Sequence, residues 1–147
     1  MKKYIFTGIC ALVLLGSCSK EQLSADKLEG SWHLLEKKIY LDNVDQQDTS
    51  LAGMDITYTF ETCDLKNLEF CDGNIRTVQG SSQNDAAMMY KFSDNGKTLI
   101  IDNDGSVSTS NDRINAKVIK LNKEEFVFEY EVTVVGTQRT VFTLNKQ

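Results

Sequence analysis

The stretch Phe126-Val127-Phe128-Glu129-Tyr130-Glu131-Val132-Thr133-Val134 alternates apolar and polar side chains from Phe128 onward. This period of two is typical of an extended strand with one buried face. Shorter runs with apolar residues at every second position repeat the pattern along the chain: Ile56/Tyr58/Phe60, Leu68/Phe70, Met88/Tyr90/Phe92, Ile114/Ala116/Val118 and Thr140/Phe142/Leu144. We therefore predict an all-β domain.

Turn-forming residues separate these runs, at Asp72-Gly73-Asn74, Asp94-Asn95-Gly96, Asn122-Lys123 and Gly136-Thr137. Asp-Gly and Asn-Gly supply the positive φ angles of tight hairpins. Longer polar connections are expected at residues 42–53, 80–87 and 103–113. The sum is an antiparallel meander of about eight to nine strands, and such a meander avoids exposed edges by closing into a barrel or folding into a sandwich. The pattern alone leaves both open.

One strand breaks its own period. After the face formed by Ile114, Ala116 and Val118, the apolar residues continue at Ile119 and Leu121. This change of phase indicates a β-bulge or a strand that is buried on both sides.

The first eighteen residues indicate secretion and a lipid anchor. Lys2 and Lys3 precede an apolar stretch of twelve residues, 4–15, which is too short to span a bilayer and is typical of a signal peptide. Leu15-Gly16-Ser17-Cys18 resembles a bacterial lipobox, a motif that is cut before its cysteine. The resemblance implies a signal peptide at residues 1–17 and acyl chains such as palmitate on Cys18. The alternative is an ordinary secreted protein with a cysteine at this position.

The predicted anchor defines the rest of the chain. Residues 18–27 are polar and are predicted to be an acylated tether, with the option of a helical turn running into Leu28. Residues 28–147 would form one domain on a bacterial membrane, which we expect to be the outer membrane, at its periplasmic or surface face. The net charge of −5 becomes −7 without Lys2 and Lys3. Such an acidic surface argues against nucleic acid as a partner.

Two cysteines remain in the predicted domain, Cys63 and Cys71, in a compartment that permits disulfides. A straight strand between them would separate their Cα atoms by about 26 Å, whereas a disulfide requires about 4.4–6.8 Å. A bridge therefore requires the chain to reverse near residues 64–67. A disulfide and two unpaired thiols both stay open.

Leu28-Glu29-Gly30-Ser31-Trp32 opens the first predicted strand. The pattern of Gly30 and Trp32 resembles the Gly-x-Trp signature of lipocalins, in which the tryptophan closes the base of a β-barrel. Residues 90–99 and 121–126 are similar to strand-turn-strand blocks of short, lipocalin-like bacterial lipoproteins, so the resemblance covers about residues 28–145. A Thr-Asp-Tyr block and a late arginine motif in standard form are missing. Arg139 is nevertheless a candidate to stack on Trp32.

The resemblance implies a lipocalin-like barrel, which is wide enough either to fill with its own side chains or to hold one small ligand. Our leading hypothesis is a carrier of a small, largely apolar ligand. The inward-facing candidates for its binding site are Tyr58, Phe60, Met88, Tyr90, Phe92, Phe128 and Tyr130. One alternative is a solid-core β-domain that binds a protein or glycan in a surface complex through its loops. Another is an inhibitor of a secreted enzyme.

Catalytic signatures are missing from the sequence. His33 is the only histidine, and it follows Trp32, so the two side chains are predicted to face opposite ways. We find no Gly-x-Ser-x-Gly elbow, phosphate loop or dinucleotide fingerprint. Two cysteines and one histidine fall short of the four ligands of a structural zinc site. We therefore expect neither enzyme activity nor a cofactor or metal.

Overall fold

The computed structural model describes residues 19–46, 51–103, 113–133 and 136–147. It shows one helix followed by an antiparallel β-sheet. The elements are α1 (Lys20–Leu28), β1 (Gly30–Leu41), β2 (Val44–Gln46), β3 (Met54–Phe60), β4 (Cys71–Gln79), β5 (Ser82–Ser93), β6 (Thr98–Asp102), β7 (Arg113–Leu121), β8 (Glu125–Thr133) and β9 (Thr137–Lys146), with a 3₁₀ turn at Asp94–Gly96.

The sheet closes on itself. Strands β3 to β9 pair in sequence, and β1 pairs with β3 on one side and with β9 on the other. The result is an eight-stranded barrel, to which β2 adds as a short hairpin strand on the part of β1 that β3 does not reach. Closure removes the edges that an open sheet would expose. The prediction of an all-β barrel is confirmed, and the sandwich alternative is excluded.

The two ends of the barrel differ. At one end lie α1, the loop of residues 61–70 and the turns at 94–97 and 122–124; we name this the closed end. At the other end lie the turns at residues 42–43 and 80–81, the last residues of β6 and β8 and the first residues of β3, β7 and β9. We name this the open end.

Most predicted strand faces are found, and three local predictions are wrong. Residues 72–74 lie inside β4 and form no turn. Leu68 and Phe70 belong to the loop at 61–70 and not to a strand. The loop expected at 80–87 is a tight turn, because β5 already begins at Ser82.

Gly73 explains the first of these errors. It lies on the inner face of β4, opposite Phe60 and Met88. A Cβ atom at this position would lie 2.7 Å from Met88 Cε and 2.8 Å from the carbonyl oxygen of Thr59. The glycine therefore permits close packing inside the barrel rather than a turn.

The predicted bulge in β7 is confirmed, since its pairing with β8 shifts between Val118 and Lys120. The connections predicted at residues 42–53 and 103–113 lie partly outside the described residues, and β2 occupies 44–46 of the first one. Val134 and the whole segment 1–18, which includes Cys18, also lie outside them.

The segment predicted as a tether is helical from Lys20 onward. Ser19 caps α1, because its Oγ accepts a hydrogen bond of 3.1 Å from the backbone N–H of Gln22. Glu21 in the first turn and Lys27 in the last turn complement the helix dipole. Ala25 and Leu28 are buried against the barrel. Among the described residues, no helix is both long and apolar enough to cross a membrane.

Candidate functional site: the barrel interior

The floor of the barrel is built around Trp32. Its side chain is fully buried, and its Nε1–H donates a hydrogen bond of 2.6 Å to the carbonyl oxygen of Leu28 at the end of α1. Its ring meets that of Phe126 edge to face, with 6.0 Å between centroids. Gly30, the other residue of the signature, has a φ of +114°, which favours glycine, and begins β1 beside the end of α1. Helix and signature residues together close this end.

The cation beside the tryptophan is a lysine. Lys146 Nζ lies 5.2 Å from the centroid of the Trp32 ring and donates a hydrogen bond of 2.6 Å to the carbonyl oxygen of Glu29. Arg139 instead lies over Tyr40, at 4.3 Å, on the outer face. Arg139, the candidate from the sequence, therefore does not stack on Trp32. Arg139 is in register with Tyr40, close to the open end of the barrel.

Burial on the inner face falls from the closed end to the open end. On β8, Phe126 and Phe128 are buried, Tyr130 is half-buried and Val132 is 43% exposed. On β5, Met88 is buried, whereas Ala86, two residues closer to the open end, is half-buried. Among the described residues, the inner face is therefore more exposed towards the open end than at the floor.

Stacked rings line one wall. The ring of Phe128 lies 5.0 Å from that of Phe126 and 4.9 Å from that of Phe142, and Phe142 also stacks with Tyr130 at 5.9 Å. These contacts form a continuous apolar wall from the floor towards the opening.

Two polar side chains of the inner face, those of Tyr58 and Thr140, are almost fully buried. Tyr58 is only 9% exposed; burial raises its pKa to about 12, with a smaller contribution from Tyr130. Its phenol is therefore neutral at physiological pH and can donate a hydrogen bond. Thr140 faces inward opposite Tyr130 and is 1% exposed. Among the described residues, its Oγ1 is one of three buried side-chain atoms with no hydrogen-bond partner.

Other candidate residues belong to the floor. Tyr90 is fully buried, and its hydroxyl donates a hydrogen bond of 2.8 Å to the carbonyl oxygen of Glu61. Phe60 meets the Tyr90 ring edge to face at 5.1 Å. Phe92 pairs with Leu99 next to the 3₁₀ turn. These three side chains support the closed end. Tyr58, Met88 and Phe128 are also buried in the core, and Tyr130 packs against it.

Sequence reasoning missed Lys37 on the inner face. A bulge in β1 shifts the register between Leu34 and Glu36, and beyond it Lys37 pairs with Phe142. Directly opposed residues in an antiparallel pair share a face, so the lysine lies on the inner side. The one available signal was the adjacent pair Leu34-Leu35, which breaks the alternation of this strand.

The outer face carries the remaining ionisable groups of note. His33 faces outward as predicted, with its Nδ1 3.0 Å from Asp55 Oδ1. Asp102 is fully buried beside Arg113, at 3.0 Å, and the guanidinium of Arg113 also covers the ring of Phe70. Within the described ranges, no three His, Cys, Asp or Glu side chains are arranged to hold a metal ion.

Cys63 and Cys71 form a disulfide, with Cα atoms 5.4 Å apart. The chain reverses between them as the bridge requires, because Asn67 and Leu68 donate backbone hydrogen bonds of 3.0 Å to the carbonyl oxygen of Asp64. The bridge pins the loop at 61–70 to β4 at the closed end.

The comparisons with known proteins add no relative. No protein-family model matches this chain, and no similar curated protein is found. The likeness to lipocalins therefore rests on the residues quoted above and on the closed barrel that they form.

Proposed function

We propose that this chain is a lipid-anchored extracytoplasmic binding protein, whose lipocalin-like barrel takes up a small, largely apolar ligand through its open end. The observation that carries the proposal is the buried Thr140 hydroxyl, which lacks a hydrogen-bond partner beside an apolar wall. Leaving such a group unsatisfied costs about 1–3 kcal/mol. A ligand with one polar group would recover that cost.

The chemistry of the interior defines the ligand class. Phe128 and Phe142 offer flat apolar surfaces, and the neutral phenol of Tyr58 offers a donor. Pockets of this kind gain affinity from apolar contact and orientation from a few polar groups. We therefore propose an apolar body with a single hydrogen-bonding group.

Two neighbouring alanines on β5 provide a direct test. Ala86 pairs with Ile75 on the inner face, whereas Ala87 pairs with Asn74 on the outer face. Ala86→Trp should block the interior and abolish uptake of the apolar probe N-phenyl-1-naphthylamine, measured by its fluorescence. Ala87→Trp is the matched control and should bind as the parent does. Equal binding by both variants would remove the ligand site from the barrel.

The anchor needs a separate test. Cys18→Ala should abolish labelling of the protein by radioactive palmitate in a bacterial host and release it from the membrane fraction. Persistent labelling would contradict an acylated Cys18. This outcome would leave the ligand site untouched, since the site depends on the barrel alone.

One observation favours the solid-core binding module instead. The rings of Trp32, Phe60 and Phe126 fill the closed half of the barrel through edge-to-face contacts. In that case the connections at the open end would bind a protein or glycan. Native mass spectrometry of protein from its own cells separates the two: a co-purified small molecule supports the carrier, and a stably bound macromolecule supports the module.

A further inference from the structure

We propose that the barrel rests with its closed end against the lipid surface, so that its open end points away from the bilayer. This orientation depends on the proposed acylation of Cys18. We infer the orientation from the short distance along the chain between Cys18 and α1, which is fixed to the barrel. The partner of the closed end is the head-group layer of the membrane itself.

The tether is short because α1 begins at once. Ser19 is already the N-cap, so Cys18 is the residue before the cap. Consecutive Cα atoms lie 3.8 Å apart. A lipid attached to Cys18 therefore holds the start of α1 at the level of the head groups.

The helix is fixed to the barrel through Gln22. Its Nε2 donates a hydrogen bond of 2.6 Å to the carbonyl oxygen of Cys63, and its Oε1 accepts one of 2.9 Å from the backbone N–H of Leu65. The same loop is held by the disulfide. On the other side, Glu21 Oε1 accepts a hydrogen bond of 2.7 Å from the N–H of Asn95. Hydrogen bonds to the loop at 61–70 and to the turn at 94–97 therefore hold α1 against the barrel.

The surroundings of Gly96 show how closely α1 packs against the barrel. A Cβ atom at this position would lie 2.1 Å from Ser24 Oγ and 3.2 Å from the carbonyl oxygen of Lys20. Real Cβ atoms do not approach other atoms to 2.1 Å. The turn at the end of β5 therefore packs directly against the first turns of the helix.

The surface that this arrangement presents fits lipid head groups. Leu23 is 47% exposed on the outer side of α1. It lines a surface groove of about 480 Å³ together with Asp26, Lys27, Lys123 and Lys146. Within this groove three ammonium groups and one carboxylate surround an exposed leucine, an arrangement in which lysine stems pack on apolar surface and their charges meet phosphates. The positive charge is confined to the groove, since α1 and the adjoining turns also carry acidic residues such as Glu21, Asp94 and Glu124.

Two variants, each with one added cysteine, test the orientation. Glu124→Cys lies in the turn between β7 and β8 at the closed end, outside the lysine groove, and Ser81→Cys lies in the turn between β4 and β5 at the open end. Each is purified in acylated form from membranes, labelled with a maleimide fluorophore and placed in phosphatidylcholine vesicles with one fifth phosphatidylglycerol. A head-group spin-labelled lipid should quench the Glu124→Cys dye at least threefold more than the Ser81→Cys dye. Equal quenching, or the reverse order, would overturn the proposal.

A linker variant tests the cause. Twelve Gly and Ser residues inserted between Cys18 and Ser19 would span about 19 Å on average. The ratio of quenching between the two dyes should then fall towards one; an unchanged ratio would contradict the short tether as its cause. Mass spectrometry of the same samples separates the two proposals. Without acyl chains on Cys18 the anchor and the orientation both fail, whereas equal quenching of acylated protein removes only the orientation.

A glycine pair tests the fixation of α1. Gly96→Val should force the helix off the barrel and reduce the quenching difference. Gly80→Val is the matched control, because Gly80 also has a positive φ, +59° against +79°, but has no atom within 4 Å of an added Cβ. Circular dichroism checks that both variants keep the barrel. Equal quenching ratios in the two variants would contradict a fixed helix.

Discussion

The indole of Trp32 donates its hydrogen bond to the carbonyl oxygen of Leu28, four residues earlier, at 2.6 Å. Leu28 is the last residue of α1, where carbonyl groups lack partners within the helix. Both side chains are fully buried. This hydrogen bond therefore satisfies a carbonyl group at the end of α1 and links the helix to the floor of the barrel.

Trp32→Phe should lower the free energy of unfolding by about 2–4 kcal/mol. The substitution keeps an aromatic ring but removes the donor, so the buried carbonyl oxygen of Leu28 loses its partner at a cost of about 1–3 kcal/mol. The smaller ring adds a packing loss. Urea unfolding followed by far-UV circular dichroism measures the change. Val132→Ala, at an exposed site on β8, should stay within about 0.5 kcal/mol. A loss for Trp32→Phe as small as that would contradict the contact.

The Cys63–Cys71 bridge should be visible in two measurements. Thiol titration of the denatured, unreduced mature protein should find no free thiol, and two reactive thiols would contradict the bridge. The double substitution to alanine should reduce stability by about 2–3 kcal/mol, because the bridge restricts the unfolded chain across a short loop. Reduction of the parent protein should give a loss of similar size.

The strand faces were predictable because alternation is local. Phe126 and Phe128 are buried on the same side, as their spacing requires. Helix α1 was harder to recognise, since only Ala25 and Leu28 are buried in a segment of nine residues. Its stability depends on contacts to Asn95 and Leu65, which are distant in sequence. No local pattern encodes such contacts.

The inner surface was predictable only in part. Tyr58 and Tyr130 face inward as their positions in the alternation indicate. Lys37 faces inward only because a bulge in β1 reverses the period, and the site of a bulge depends on the partner strand. The solvation of each group depends on which end of the barrel is covered, and the pattern of a single strand does not contain that information.

Gly73→Ala should destabilise the protein by about 1–3 kcal/mol. The new methyl group would displace the end of Met88, which can move, but it would also press on the backbone oxygen of Thr59 in β3, which cannot move without disturbing the sheet. Thermal unfolding by circular dichroism gives the change. Asp72→Ala, the exposed neighbour, is the control. A stabilising Gly73→Ala would show that β3 and β4 have room at this level.

Tyr58 should make stability depend on pH in the alkaline range. Burial raises its pKa to about 12, above the value near 10 of an unfolded chain, so above pH 10 the unfolded state loses its proton first. The stabilising contribution is fully present below pH 10 and declines as the pH approaches 12, by up to about 2–3 kcal/mol. Burial also raises the pKa of Tyr90, so Tyr58→Phe should reduce the alkaline loss without removing it. Urea unfolding of both proteins between pH 8 and 12 tests this. The difference between the two stability curves should be constant up to about pH 9 and change above pH 10, where the parent protein loses more stability than Tyr58→Phe. Parallel curves over the whole range would show that the Tyr58 phenol is solvated in the folded protein.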